Sequence, residues 1–362
     1  MGLNSSAIAG LSERLAQIIK IHFDPQSGTP YWTEFAARLG FDPRERIKSI
    51  DDLACFGLMD RSILLGRPIS DFIPKSLAIH PEKLLLAQTG GTLGDPVWTA
   101  YSVEDYHDAF VQPFVDAARH VGFPAAGTWL YVGPTGPHVI GRAARSIARA
   151  TGAMEPFTVD FDSRWAKKLP PQSFAADRYL SHIVEQAMSV TQVQPITHLF
   201  STPPILEALG KAMTDSQRAE IRGVHYGGMS IAADMLSHLK RDVFPKAVHL
   251  SGYGNTLIGC CMELDAAAGR QLRYFPWGCR VVFGVLPPGK DECTSIMRKP
   301  GTAGRCVITC LDPSMLLINY VERDEVELVS PQIDSPPQFC LPGVLNPKPI
   351  KRDDCVPLVG LY

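Results

Sequence analysis

Three features that would place a protein in a broad class at once are missing from this sequence. Lys and Arg total 35 against 37 Asp and Glu, so the basic excess of a nucleic-acid-binding protein is absent. No stretch approaches the roughly 18 uninterrupted apolar residues of a membrane-spanning helix. The first residues lack the basic and apolar regions of a secretory signal. We therefore expect a protein that handles small molecules, with neither nucleic acid nor membrane as a partner.

Cysteine is present but in no diagnostic arrangement. The nine cysteines are an odd number and include no Cys-x-x-Cys pair, which is atypical of a secreted disulfide framework. Most of them have apolar sequence neighbours, as buried reduced thiols do. We therefore predict a cytoplasmic protein.

Apolar runs alternate with helical patterns through the middle of the chain. Strands are predicted at 128–132 and 197–201, and each precedes a helix, such as the one at 140–150. Strands that alternate regularly with helices predict an α/β fold with largely parallel sheets. We divide the chain into a helical region at 1–80, an α/β core at 81–270, a β-rich module at 271–330 and a proline-rich connector at 331–362.

A Gly/Thr-rich loop is the strongest local signal in the chain. The sequence TGGTLGDP at 89–96 stands between an apolar run and a predicted helix. Glycine admits backbone angles that let N–H groups approach phosphate oxygens closely. No Gly-Lys-Ser/Thr follows, so the loop is not a P-loop. By itself the loop is equally compatible with a phosphate site and with a flexible turn.

Several segments in a consistent order resemble the adenylate-forming enzymes, and in particular the phenylacetate–coenzyme A ligases. The loop at 89–96 is similar to that family's Ser-Ser-Gly-Thr-Thr-Gly-Lys-Pro phosphate loop, and the continuation at 98–106 resembles the same branch. Further similarities follow in the family's order: FSTPP at 200–204, YGGMS at 226–230, SGYGNTL at 251–257, NYVERD at 319–324 and KRDD at 351–354. Matches in this order over nearly the whole chain are hard to obtain by chance.

The resemblance implies a fold of two layered sheet-and-helix subdomains plus a smaller β-rich module. It also implies that ATP activates a carboxylic acid as acyl-AMP, and that a thiol or amine then accepts the acyl group. The residues that it assigns to the phosphates are Thr89, Gly90, Gly91, Thr92 and Gly94. Those that it assigns to the rest of the nucleotide and to the hinge are Gly227, Gly228, Tyr253, Gly254, Asn255, Thr256 (α-phosphate), Asp324 (ribose) and Lys351.

An aryl or amino-acid-like pocket is expected between four residues. Tyr131, Phe200 and His225 lie on predicted strands, and His138 follows the first of these strands. A lone histidine such as His225 is more often a packed structural residue than a catalytic one.

Departures from the family pattern bear on activity. Asp95 replaces the loop lysine, and Leu257 replaces the glutamate that binds Mg²⁺, so ATP is expected while Mg²⁺ is in doubt. Glu263 could substitute, although a surface glutamate is the simpler interpretation. Asn319 and Val321 replace two arginines. The family's zinc-binding subset needs a later histidine that this chain does not have after Cys260 and Cys261, so no metal is expected there.

The chain ends just beyond the hinge-like segment, so we expect the family's C-terminal domain, which carries the adenylating lysine, to be missing. A partner protein could supply this domain. A carrier protein or coenzyme A could accept the acyl group. The chain could also form a homodimer. Short members of this branch occur in aromatic antibiotic pathways such as phenazine biosynthesis, which makes an aryl acid a reasonable expectation.

Two other interpretations stay open. Acyl-protein synthetases of bacterial luminescence also resemble this family and carry a nucleophilic cysteine near the chain end, where this sequence has Cys355 beside Lys351 and Arg352. An unreactive tail cysteine is the simpler alternative. The chain could instead be a repurposed or non-catalytic nucleotide- or acyl-binding protein, because Asp95 and Leu257 remove groups that the reaction uses.

Overall fold

The computed structural model describes residues 5–90, 95–166, 168–227, 231, 233–265, 271–290 and 292–350. Its α-helices are α1 (Ser5–His22), α2 (Pro30–Ala36), α3 (Pro43–Arg46), α4 (Arg61–Leu65), α5 (Lys75–Ala78), α6 (Val103–Tyr106), α7 (Gln112–Val121), α8 (Val139–Ala150), α9 (Ser163–Ala166), α10 (Phe174–Thr191), α11 (Pro203–Ala212), α12 (Asp215–Glu220) and α13 (Ala233–His238). Its strands are β1 (Leu84–Gln88), β2 (Trp98–Ser102), β3 (Trp129–Val132), β4 (Phe157–Val159), β5 (His198–Ser201), β6 (Gly223–Tyr226), β7 (Val248–Asn255), β8 (Gly259–Glu263), β9 (Arg273–Phe275), β10 (Val281–Leu286), β11 (Ala303–Leu311), β12 (Leu316–Val329) and β13 (Gly343–Pro349).

Shorter helical segments complete the described secondary structure. Short segments of tighter 3₁₀ helix are Ile50–Phe56, Ile69–Phe72, Pro81–Lys83 and Cys293–Ser295. Two wider π-helical segments, His107–Val111 and Leu239–Val243, precede α7 and follow α13. None of the helices in this part of the chain combines the length and the apolar character needed to cross a membrane.

The chain divides into two compact units whose boundaries differ from the predicted regions. Unit 1 contains the residues up to Gln88, then Val97–Ala109 and Phe275–Ile350, and unit 2 contains Thr89–Pro96 and Phe110–Tyr274. The N-terminal helices therefore belong to the same unit as the late β-strands, whereas the prediction treated them as separate regions. Contacts between distant segments produce this grouping, and local sequence patterns do not report such contacts.

Unit 2 is built on a parallel sheet covered by helices. Strands β4, β3, β5, β6 and β7 lie side by side in that order and run parallel, and β8 turns back antiparallel to β7. All four residues of β3, β5 and β6 are buried, as expected for parallel strands with helices on both faces. The α/β alternation predicted for this region is confirmed.

Helix α8 shows why the sequence of unit 2 forms these layers. Val139, Ala143, Ala144 and Ile147 recur at helical spacing and are all buried, so a single face of the helix is apolar. Arg142 and Arg149 lie on the opposite, exposed face. Such a helix gains most of its stability by covering apolar surface. Helix α8 connects β3 to β4 and packs its apolar face on their sheet.

Unit 1 contains an antiparallel sheet of β10, β11, β12 and β13, and a separate hairpin of β1 and β2. The last of these strands, β13, lies inside the segment predicted as an extended connector. The pairing tolerates Pro347 because the register shifts opposite Val326, and Asn346 takes a φ of 45° there. A proline cannot donate a ladder hydrogen bond, so a bulge is where it fits.

The N-terminal helices of unit 1 are tied to its late strands by buried polar contacts. The Trp32 indole N–H donates to the Leu316 carbonyl at 3.1 Å, inside a cluster of aromatic rings that includes Phe23 and Phe56. Deeper in the unit, Nε2 of the buried His22 of α1 lies 2.8 Å from the Asp312 carbonyl oxygen, and the Asp312 carboxylate in turn accepts two hydrogen bonds from the buried Arg280 guanidinium. These long-range contacts explain why the helical region is not a domain of its own.

Candidate active site

The strand ends of unit 2 collect most of the predicted site residues that the structure describes. Ligands of open α/β sheets bind at the carboxyl ends of the parallel strands. Here β3, β5, β6 and β7 end side by side, because Phe200 pairs with both Tyr131 and His225, and Tyr226 pairs with Ser251. The predicted acid-binding row and the predicted adenine segment thus share one edge of one sheet.

Three predicted acid-binding residues form a continuous buried row. The rings of Tyr131 and Phe200 lie 5.2 Å apart and those of Phe200 and His225 lie 4.3 Å apart. Phe114 of α7 packs edge-on against His225 at 4.8 Å. The Tyr131 hydroxyl donates to the Pro134 carbonyl at 2.9 Å. The row presents an apolar, aromatic wall beneath the strand ends.

The buried His225 does not offer the positive charge that a substrate carboxylate would prefer. Burial lowers the pKa of His225 to about 4, so its ring is neutral at pH 7. Its Nδ1 lies 2.8 Å from the Leu250 carbonyl oxygen, which can only accept, so Nδ1 carries the proton. His138 is also buried, at the N-cap position of α8 in the loop after β3. Both fit a structural role.

Close backbone approach explains the glycines of the predicted adenine segment. A Cβ at Gly227 would lie 3.2 Å from the Gly252 carbonyl oxygen, and one at Gly254 would lie 1.9 Å from that of Gly259. The second distance is far inside van der Waals contact, so the β7–β8 hairpin itself requires Gly254. These glycines allow neighbouring backbones to approach each other closely at the ends of β6 and β7.

The turn between β7 and β8 holds Thr256 and Leu257. The Asn255 side chain accepts hydrogen bonds from the backbone N–H groups of Leu257 at 2.8 Å and Ile258 at 3.2 Å. Asparagine side chains commonly stabilise tight turns by such hydrogen bonds to the backbone. The resemblance assigned Asn255 to the nucleotide and did not predict this structural role. Thr256 is half-buried, whereas the Leu257 side chain is buried.

The interpretation of Glu263 as a surface residue is wrong. Glu263 ends β8 with only 4% of its surface exposed. Its carboxylate accepts from the backbone N–H groups of Leu264 and Asp265, both at 3.0 Å, and of Arg273 at 2.7 Å. Burial nevertheless raises its pKa to about 7. Sequence reasoning missed this because the Arg273 N–H comes from a separate strand.

Tyr253 lies beside a polar pair that sequence reasoning also missed. Its ring is 5.6 Å from that of Tyr274, and the Tyr274 hydroxyl is 2.8 Å from the Ser251 hydroxyl. Burial raises the pKa of Tyr274 well above its usual value. Tyr253 itself is half-buried, so this residue is partly accessible at the strand ends.

The remaining predicted residues divide between the two units or lie outside the described residues. Thr89 and Gly90 belong to unit 2 and are half-buried, whereas Asp324 belongs to unit 1, half-buried on β12 opposite Pro349. The predicted residues that lie outside the described ones are Gly91, Thr92, Gly94, Gly228, Lys351 and Cys355.

The donor set of the described hairpin does not fit Mg²⁺. Leu257, which the resemblance matches to a metal-binding glutamate, is buried, and its side chain has no oxygen to offer. The Glu263 carboxylate is already engaged by three backbone N–H groups. Among the described residues there is no group of three or more His, Cys, Asp or Glu side chains that could hold a metal ion.

Comparison with solved structures identifies the fold. The chain is similar to 2-hydroxyisobutyryl-CoA ligase in the postadenylation state in complex with R3-HIB-AMP, with a TM-score of 0.65, 14% sequence identity, and coverage of 94% of this chain and 67% of that chain. The same ligase in complex with 2-HIB-AMP and CoA in the thioesterification state gives a TM-score of 0.63, with the same identity and coverage. An open conformation of that complex gives 0.62 at 14% identity, covering 93% of this chain and 68% of that chain.

This similarity confirms the predicted fold class, that of the adenylate-forming enzymes. No protein-family model matches the sequence, and no curated protein matches it either. At such low sequence identity, the structural similarity establishes the fold alone.

Proposed function

We propose that the chain forms acyl adenylates from small carboxylic acids. In this reaction a carboxylate oxygen attacks the α-phosphorus of ATP, the bond from that phosphorus to the bridging oxygen breaks, and pyrophosphate leaves. The observation that carries the proposal is the fold shared with a ligase crystallised with acyl-AMP. The family-like segments at the strand ends of unit 2 support it.

The described residues support distinct roles at these strand ends. We assign Gly227 and the half-buried Tyr253 to the adenine, as the resemblance implies, and the Tyr253 ring offers a flat face for stacking. The Thr256 hydroxyl, in the adjoining turn, is assigned to the α-phosphate as a hydrogen-bond donor. The ribose role of Asp324 and the phosphate role of the loop that starts at Thr89 stay predictions from the resemblance.

The buried row favours an apolar or aryl acid. Tyr131, Phe200 and the neutral His225 supply no charge that would balance an ionic substituent, and burying an unpaired charge is costly. We therefore extend the proposal to the phenylacetate–coenzyme A ligase-like activity, and to the place in aromatic antibiotic biosynthesis, that the resemblance implies. We propose coenzyme A or a carrier-protein thiol as the acceptor.

In this proposal, hydrogen-bond donors of the chain itself, such as the Thr256 hydroxyl, stabilise the charge that develops on the phosphate. The Leu257 side chain has no oxygen that could bind Mg²⁺. Electrostatic stabilisation is usually the largest contribution to phosphoryl chemistry, so we expect slow adenylation by this chain alone. A partner that adds a cation would accelerate it.

Nucleotide binding tests the proposal first. Calorimetry with AMP and ATP on the wild-type chain is expected to show millimolar or tighter binding. Tyr253→Ala removes the ring assigned to adenine, and we expect about a tenfold loss of AMP affinity, which is ~1.4 kcal/mol. Tyr179→Ala, a half-buried tyrosine on α10 of the same unit, is the matched control and is expected to bind AMP as wild type does.

The outcomes separate the candidate functions. Equal losses in both variants would indicate general disturbance of unit 2 and count against the assignment of Tyr253. Absence of any AMP or ATP binding would favour a repurposed protein. Acid-dependent labelling of the chain itself, lost in Cys355→Ser, would favour the acyl-protein synthetase alternative over transfer to coenzyme A.

A further inference from the structure

Two short helices of unit 1 line a common cavity. On α2 and the turn after it, Tyr31, Glu34, Phe35 and Arg38 recur at positions i, i+3, i+4 and i+7, so they share one helix face. The other lining residues come from α4 and the two positions that follow it, ending at Arg67. The cavity has a volume of about 460 Å³, which is within the range of small-molecule pockets.

The apolar part of the cavity wall is largely aromatic. The rings of Tyr31 and Phe35 lie 6.2 Å apart, and Ile63 of α4 completes this part of the wall. All three residues are half-buried. Trp32 anchors α2 to the core of unit 1 from another face of the helix, because it is buried and donates to the Leu316 carbonyl. Tyr31 and Phe35 therefore offer flat apolar surface on the side that lines the cavity.

The polar part of the wall holds two guanidinium groups and one carboxylate. Glu34 divides its two oxygens between them, since Oε1 accepts from Arg38 and Oε2 accepts from Arg67. Arg67 also contacts Asp71, with Nε at 3.4 Å from Oδ2, and its guanidinium carbon lies 5.4 Å from the centre of the Tyr31 ring. Arg67 is therefore part of a fixed wall, held by two carboxylates and one ring.

Arg38 is the cation that remains for a ligand. Its Nη2 donates to Glu34, whereas its Nε and Nη1 have no partner among the residues that the structure describes. The Arg38 side chain is 70% exposed, so these N–H groups can exchange water for a ligand. A guanidinium presents its N–H groups in a fixed fork that matches the two oxygens of a carboxylate. Because Glu34 would repel a doubly charged phosphate, the lining favours an anion with a single charge.

We propose that this cavity is a binding site for a small aromatic monocarboxylate of the benzoate type. The ring of the ligand lies against Tyr31 and Phe35, and its carboxylate accepts hydrogen bonds from Arg38. The cavity belongs to unit 1, whereas the aromatic row assigned above to the acid that is activated belongs to unit 2. The inference follows from the lining of the cavity and does not depend on acyl-adenylate formation.

The first test varies the ligand and leaves the chain unchanged. The full chain is titrated by calorimetry with benzoate, benzamide and cyclohexanecarboxylate. Benzamide keeps the ring and loses the charge, whereas cyclohexanecarboxylate keeps the charge and loses the flat face. We expect benzoate to bind about fivefold more tightly than either of the other two. Equal affinities for benzoate and benzamide, or no binding of benzoate, would overturn the proposal.

The location of the ligand is tested by photolabelling the full chain with para-azidobenzoate and mapping the label by peptide mass spectrometry. We expect label within residues 31–38 and 62–67, which line the cavity, and excess benzoate should suppress it. Label confined to unit 2 would overturn the proposal and would instead support the acid-binding row there. Failure of this site and failure of the proposed function therefore give different results.

Two matched arginine variants complete the test. Arg38→Gln removes the cation assigned to the ligand and leaves Glu34 its bond to Arg67, and we expect benzoate binding and cavity labelling to weaken about fivefold. Arg46→Gln is the control, because Arg46 is also exposed and lies beside a ring, 5.5 Å from the centre of Phe41, but does not line the cavity. Equal effects of the two substitutions on benzoate binding would contradict the site.

Discussion

The buried carboxylates of Asp312 in unit 1 and Glu263 in unit 2 have different partners for their charge. Asp312 in unit 1 receives the Arg280 guanidinium, with Nε at 2.9 Å from Oδ1, and Arg14 adds a further contact at 3.3 Å. Glu263 in unit 2 receives three backbone N–H groups. A full positive charge balances a carboxylate more completely than peptide dipoles do. Asp312 is therefore held in an ion pair, whereas the Glu263 carboxylate, whose pKa burial raises to about 7, can change protonation near neutral pH.

The largest expected effect comes from removing the cation of unit 1. Arg280→Met leaves Asp312 buried without its main partner, and we expect the free energy of unfolding to fall by about 3–5 kcal/mol. Denaturant titration measures this. Arg178→Met, which breaks the exposed pair with Glu185, is the matched control and should cost less than about 1 kcal/mol. Equal losses in the two variants would show that burial does not distinguish these ion pairs.

The second prediction concerns the pH dependence of unit 2. The folded pKa of Glu263 is raised from 4.5 to about 7, so the folded state binds the proton more tightly than the unfolded state does. Its contribution to stability is therefore present at low pH and is lost as pH rises through this range. We expect wild type to lose on the order of 3 kcal/mol more than Glu263→Gln does across this interval.

Measuring the free energy of unfolding of both chains at several pH values from 4 to about 8 tests this difference. Glu185→Gln, at an exposed site, provides the control and should follow the wild-type curve over this range. Parallel curves for wild type and Glu263→Gln would mean that the backbone N–H groups stabilise the carboxylate as fully as water does.

Local patterns predicted the helices and strands of unit 2 because their signals are periodic and short-ranged. The helix predicted at 140–150, after a strand and a turn, corresponds to α8, whose Val139, Ala143 and Ile147 are buried at helical spacing. The burial of Glu263 was not predictable in this way, since its Arg273 partner lies ten residues away on another strand. For the same reason the joining of the N-terminal helices to β10–β13 was missed. The resemblance located the strand-end motifs, whereas their glycines are explained only by distances such as that from Gly254 to Gly259.

A smaller effect is expected at the β7–β8 hairpin. Gly254→Ala places a Cβ 1.9 Å from the Gly259 carbonyl oxygen, so the strands must separate, at a cost of roughly 2 kcal/mol. Thermal unfolding should record it. Gly10→Ala is the matched control in unit 1, because its Cβ meets only the Cys279 sulfur at 3.5 Å and alanine favours helix. An unchanged Tm for Gly254→Ala would mean that the hairpin adapts without separating.

Acid-dependent exchange of labelled pyrophosphate into ATP tests acyl-adenylate formation most directly, because it reports the reversible first step without requiring an acceptor. The panel should include aryl, aliphatic and amino acids, with the acid-free reaction as the blank. We predict slow exchange that appears only with an acid and is strongest for an aryl or apolar one, as the row of Tyr131, Phe200 and His225 favours. The absence of exchange with every acid, from a folded chain that also fails to bind AMP, would contradict the account.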